Sequence, residues 1–168
     1  GHTRLVVANT VADLVLRWAA VLNDIAKPAT KSVEKGEVHF FSHEVLGADM
    51  ARQVLQRLRY GSELMERVTK LVRFHQRINL YESDWTDGAV RRFVREAGED
   101  LPLMFALSRA DITSQREAKG AARMAHIKQL AERVDQLRQE QEIEKTKGPR
   151  DGDGLVAPCT RPPAAGAA

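Results

Sequence analysis

Leu16-Arg17-Trp18-Ala19-Ala20-Val21-Leu22-Asn23-Asp24-Ile25-Ala26-Lys27-Pro28 is the stretch on which the fold turns. Its apolar residues occupy nearly every side of a helical wheel and do not alternate, the pattern of a buried helix and not of a strand. Just upstream, Thr10-Val11-Ala12-Asp13 reads as a capping box, hydroxyl and carboxylate placed to satisfy free N–H groups. A central buried helix is therefore expected from about residue 10 to about residue 25, stopped by Pro28 and preceded by a short apolar piece at 3 to 8. The carboxylate at its end needs a reason. An uncompensated Asp24 inside a fold would be costly, so it is either paired or binds a cation.

Outward from this helix the helical period dominates. Lys35-Gly36, followed by Glu37-Val38-His39-Phe40-Phe41, predicts a loop or a weak two-stranded excursion between 27 and 42. Val45, Leu46, Met50, Val54, Leu55 and Leu58 share a face of a helix near 43 to 58. Leu64, Val68, Leu71, Val72 and His75 do so near 62 to 76, with Gly61 between the two. Two short helices, about 86 to 97 and 101 to 112, are divided by Gly98 and Pro102. From Ser114 to Lys147 the chain is strongly charged, but Ile127, Leu130, Val134 and Leu137 recur at 3-4-3 spacing. That seam is too short for a coiled coil and predicts an amphipathic helix laid on the domain. From Gly148 onward four of the six prolines and four of the eleven glycines accumulate without apolar period, so 148–168 is expected to be disordered. The organisation predicted is all-α: a helical domain over 1–113, a long charged helix over 114–147, and a tail.

Composition narrows the function classes. With 168 residues, 43% hydrophobic and 29% charged, the chain is long enough for one core and needs no disulfide staples. Its single cysteine, Cys159, has no partner within the chain, and no apolar run approaches a membrane span, so a soluble cytoplasmic protein is expected. A net charge of +3 and a pI near 9.2 tolerate a nucleic-acid partner without requiring one. Candidate metal ligands are strung through the sequence: His2, Asp24, His43, His75 and Asp111, a His and Asp set suited to borderline or hard divalent ions. No spacing among them is as specific as a two-histidine helical motif, and each histidine taken alone is more often a satisfied core or surface residue.

Five segments together carry a resemblance. The opening stretch resembles the "LRxAALLHDIGKP" signature of HD-domain proteins. Val38-His39-Phe40-Phe41-Ser42-His43-Glu44-Val45-Leu46-Gly47-Ala48 resembles "FxGHExxGA", and Leu71-Val72-Arg73-Phe74-His75 resembles "LVxxH". Asp84 to Phe93 is similar to "WTDxAVRRF", and Leu107 to Ser114 to "LxRADxTS". In this order, over about 2 to 145, they resemble the HD-type helical region of bacterial CCA-adding tRNA nucleotidyltransferases and their poly(A) polymerase relatives, the actinobacterial type in particular.

The resemblance implies an HD-like helical bundle without the nucleotidyltransferase domain, hence a fragmentary or truncated gene product that adds no nucleotides. It assigns the metal ligands to His2, position 23, Asp24 and Asp111, with His43 and His75 where a second ion is held. Position 23 departs from the family: Asn23 stands in place of histidine, an amide oxygen being the weaker donor. Ala26 and Ser42 replace glycines beside the site. A divalent ion (Mg, Mn, Ni or Zn) is therefore expected to bind weakly or not at all. Asp24 and Lys27 are the catalytic candidates, Lys27 and Arg17 being the nearest cations for a phosphate. Arg57, Arg59, Lys70, Arg73, Arg91, Arg92 and Arg95 are candidates for phosphate contacts with tRNA or another RNA through the parent enzyme. Pairs such as Glu63/Arg67 and Glu66/Lys70 account for part of that charge. Three readings stay open: the HD portion of a tRNA 3′-end-processing enzyme with a degenerate site, a stand-alone metal-dependent phosphatase or 2′,3′-cyclic phosphodiesterase, and an inert helical interaction module. Self-association through the long C-terminal helix is a further expectation.

Overall fold

The computed structural model describes residues 1–112 and 117–146; the tail, Cys159 and the end of the 107–114 motif lie outside the described residues. Among the described residues the chain is all-α apart from one hairpin: α1 (His2–Ala8), α2 (Leu14–Leu22), α3 (Lys27–Thr30), β1 (Ser32–Glu34), β2 (Glu37–His39), α4 (His43–Arg57), α5 (Ser62–Asn79), α6 (Asp87–Ala97), α7 (Leu101–Ala110) and α8 (Glu117–Thr146). A single 3-10 turn, Gly98–Asp100, joins α6 to α7, with Gly98 at φ +58° where a side chain would be strained.

The N-terminal expectations need correcting. Residues 2 to 8 form a helix. Thr10 does not cap the next one, because its hydroxyl donates to the Val7 carbonyl at the end of α1. Asp13 is the cap of α2, its carboxylate accepting from the Leu16 N–H at 2.8 Å, so the helix starts at Leu14. It ends at Leu22, and Pro28 sits in the first turn of the short α3, where a missing N–H is harmless. Nor is α2 central. Val15, Leu16, Ala19, Ala20 and Leu22 are buried, but Leu14 and Val21 are exposed, and the helix that touches α2, α4, α7 and α8 together is α5.

The hairpin forms at Lys35 and Gly36, both at positive φ, the mirror-image turn that suits the twist of two short antiparallel strands. At Gly47 the space for a Cβ is bounded by Val72 at 3.5 Å and Ala26 at 3.7 Å, so α4 lies close against α5 and the α2–α3 turn. The seam on α8 is buried throughout: Ile127, Leu130, Val134 and Leu137 join the same core as α5, α6 and α7. Each such side chain contributes about 2 kcal/mol when withdrawn from water, enough to hold an otherwise polar helix.

Candidate metal centre

Helix ends build the site. His2 opens α1, Asn23 is the C-cap residue of α2, Asp24 lies in the turn that follows, and Lys27 opens α3. His43 is the first residue of α4, His75 lies in α5, and Asp111 is the C-cap residue of α7. Both carboxylates therefore stand at helix C-termini, where unpaired carbonyls already make the potential negative. Such a corner favours a cation.

The structure brings all of these residues together. Ligand-type atoms of Asp24, His43 and His75 lie within 4.8 Å of one another, as do those of His2, Asp24 and Asp111, so Asp24 is common to two triads. In the inner triad His43 Nε2 and His75 Nε2 lie 3.7 and 3.9 Å from Asp24 Oδ1. The ring orientations are fixed from behind. His43 Nδ1 donates to the Phe40 carbonyl at 2.7 Å and His75 Nδ1 to the Val72 carbonyl at 2.6 Å. With a hydrogen on each Nδ1, both Nε2 atoms carry lone pairs, yet they face each other at 3.3 Å. Burial also lowers the pKa of His75, against the pull of its bond to Val72, which favours the neutral imidazole. Two ring lone pairs and a carboxylate oxygen converging on one point are mutually repulsive until a cation is shared between them, and their chemistry fits a divalent ion.

In the outer triad His2 Nε2 lies 3.0 Å from Asp111 Oδ1 and 3.5 Å from Asp24 Oδ2. Asn23 is 1% exposed; its Nδ2 donates to the same Asp111 oxygen at 3.2 Å, and its Oδ1 is buried with no hydrogen-bond partner. Lys27 Nζ donates to Asp24 Oδ2 at 2.7 Å and sits 5.8 Å from the centre of the Phe40 ring. Arg17 stands exposed on α2.

Three contributors escaped the sequence reading. Phe40 and Val72 act through backbone carbonyls, which no residue type advertises. Gln76, next to His75, brings its Nε2 to 3.2 Å from His75 Nε2 and 3.4 Å from His43 Nε2, a donor for both lone pairs.

The cations proposed for RNA are dispersed. Lys70 is spent on structure: its Nζ donates to Asp100 at 3.1 Å and to the Ala97 carbonyl. Arg67 joins it at 2.8 Å on Asp100, so the cations of the expected Glu63/Arg67 and Glu66/Lys70 pairs reach across to the α6–α7 turn. Arg91 pairs with Glu140 of α8 at 3.6 Å and lines a groove there with Arg95, while Arg92 lines another beside Trp85. Arg57, Arg59, Arg73, Arg92 and Arg95 are exposed.

Comparison with known proteins agrees with this architecture. The sequence profile of the HD domain matches residues 4–116. An A-adding tRNA nucleotidyltransferase of Deinococcus radiodurans is 35% identical over 107 residues, 62% of this chain and 24% of its own length. A CC-adding tRNA nucleotidyltransferase of Thermus thermophilus is 36% identical over 107 residues, again 62% of this chain and 24% of the relative. The chain thus spans about a quarter of the length of these curated relatives.

Proposed function

The chain belongs to the HD domain family, and from that premise we propose that it is the HD portion of a tRNA nucleotidyltransferase-like protein, holding a divalent cation in a site of altered composition. The observation that carries the proposal is the convergence of His43 Nε2, His75 Nε2 and Asp24 Oδ1, three electron-pair donors of which the two imidazoles are pinned from behind by backbone carbonyls. His43, His75 and Asp24 would hold the ion, with His2 and Asp111 adjoining. The chemistry such an ion supplies is Lewis acidity toward a phosphoryl oxygen and acidification of water. Lys27, partly exposed and one hydrogen bond from Asp24, is the group for receiving a phosphate oxygen. Asp24 holds Lys27 through Oδ2, the Phe40 and Val72 carbonyls hold the two imidazoles, and Gln76 supplies an N–H at the inner edge. The reaction class is hydrolysis of a phosphate ester, weakened because Asn23 stands where the family has histidine.

Contact with RNA belongs to the same proposal. Arg57, Arg59, Arg73, Arg92 and Arg95 offer exposed charge for backbone phosphates in a cytoplasmic, tRNA-handling parent protein, with salt-dependent and sequence-independent affinity. Lys70 is not among them. No helix among the described residues is long and apolar enough to cross a membrane. The deciding experiment is the metal content of the purified chain, followed by hydrolysis assays on 2′,3′-cyclic and monoester phosphates with Mn²⁺, Ni²⁺, Zn²⁺ and Mg²⁺. Bound metal with hydrolysis that Asn23→His increases supports the proposal. A chain that binds none of these ions is an inert helical module.

A further inference from the structure

The two triads that share Asp24 are in opposite chemical states. In the outer one His2 Nε2, Asp111 Oδ1 and Asp24 Oδ2 are each engaged inside the cluster. Asp111 Oδ1 accepts from both His2 Nε2 and Asn23 Nδ2, and Asp24 Oδ2 accepts from Lys27. The Asn23 amide is locked in this sense, since turning it over would set its oxygen against the carboxylate oxygen of Asp111. Its Oδ1 is left buried and unpartnered while the Nδ2 side of the amide faces Asp111. In the inner triad the opposite holds. Both Nδ1 hydrogens are used on carbonyls, and the Nε2 lone pairs and Asp24 Oδ1 all point inward.

From this contrast we infer that the chain takes one divalent ion, at Asp24, His43 and His75, and that Asn23 is a positioning residue that satisfies Asp111 by hydrogen bonding and thereby closes the outer triad to metal. The inference rests on the metal-binding reading above and specifies where and how many. Two N–H donors on Asp111 Oδ1 supply part of the positive potential that an ion would otherwise bring, and an ion entering there would have to displace them. The inner triad asks for less rearrangement, because its ligand atoms lie within 4.8 Å of one another and only the Gln76 amide, 3.2 and 3.4 Å from the two Nε2 atoms, has to withdraw.

The test is a titration of the metal-stripped full chain with Co²⁺, reading stoichiometry by calorimetry and coordination by visible absorption, with circular dichroism as the folding control. The expected result is one equivalent in the wild type. His75→Gln and His43→Gln should each lower affinity at least about tenfold, a ligand being worth no less than the groups that orient it. Asp111→Asn and Asn23→Ala should hold affinity within about threefold, and Asn23→His should bring a second equivalent. The inference is overturned if the wild type binds two equivalents, or if Asp111→Asn loses the ion while His43→Gln and His75→Gln keep it. If the wild type takes up neither Co²⁺ nor Mn²⁺ nor Zn²⁺, the metal-binding reading itself falls and this one with it. The two Asn23 variants together separate positioning from packing: a merely structural role would lower melting in Asn23→Ala and leave Asn23→His at one equivalent, which would overturn the inference.

Discussion

Two aspartates in this molecule sit at helix junctions, largely withdrawn from water, and their surroundings differ in kind. Asp100, at the α6–α7 turn, is 4% exposed and accepts from Arg67 Nε at 2.8 Å and Lys70 Nζ at 3.1 Å, two permanent charges. Its hydrogen bond to Arg67 is also the main reason that guanidinium holds its proton still more firmly than usual. Asp24, beyond α2, has one lysine on Oδ2, while Oδ1 faces imidazole nitrogens at 3.7 and 3.9 Å that carry lone pairs. A carboxylate enclosed by fixed cations is complete and serves stability. One ringed by electron-pair donors is a ligand, and removing it should relieve the fold where removing the other harms it.

The strongest way to break the contrast is Asp24→Ala, which should lower Mn²⁺ affinity at least about 100-fold, judged against groups that merely orient ligands. Its melting temperature should equal or exceed that of the wild type. A melting loss as large as that of an Asp100 variant would erase the distinction. Asp100→Ala comes next, with a cost of about 2 kcal/mol for charged hydrogen bonds lost. Because Arg67 and Lys70 are each more than a third exposed, they return to water, and the larger penalty of a fully buried pair is avoided. Urea unfolding should register this loss while metal affinity stays unchanged.

Ser42→Gly sharpens the picture at the site. Ser42 adopts φ +58°, ψ +20° immediately before His43, a left-handed conformation that disfavours any side chain. The substitution should raise stability by about 1 kcal/mol in the same unfolding assay. Smallest is Lys70→Ala, expected to cost about 0.5 kcal/mol as a partly exposed ion pair. Filter binding of tRNA across a salt series should leave its slope unaltered, since Lys70 belongs to Asp100. A shallower slope would return Lys70 to the RNA-facing set.

The helices from α5 to α7 were legible because each has a continuous apolar face and a marked end, at Gly61, Gly98 and Pro102; α4 was legible in extent only, since Val45, Leu46 and Leu58, expected on its apolar face, are exposed and Gly47, Ala48, Ala51 and Leu55 turn inward. The start of α2 was not, because threonine and aspartate at 10 and 13 mimic a box whose hydroxyl in fact turns back to Val7. Asp13 directly before an apolar run was the better signal. The fold class and family were readable from motif order, and so was the identity of the site's histidines and aspartates, though through resemblance and not through spacing. Their grouping into two unlike triads was not readable. It depends on which hydrogen faces which carbonyl, on Phe40, Val72 and Asn23 orientations that a one-dimensional string does not encode. The dispersal of the arginines was hidden for the same reason: Arg67 and Lys70 have glutamates at helical spacing, but their stronger partner lies 30 or more residues away.

The buried seam of α8 stops short of the helix end. Leu137 is its last buried residue, yet the helix continues through Thr146, and residues 138–144 are exposed, Ile143 among them. Glu140 still reaches Arg91 of α6, and at the α-helical rise roughly 9 Å of rod extends beyond that pair to Thr146. Such a rod works as a lever arm. Its direction is dictated by four side chains gripping α5, α6 and α7, and a tilt of about 10° at that grip sweeps the far end through roughly 2 Å over the length just given. Small repacking beneath Val134 and Leu137 is thereby converted into displacement at a distance, without bending the helix itself.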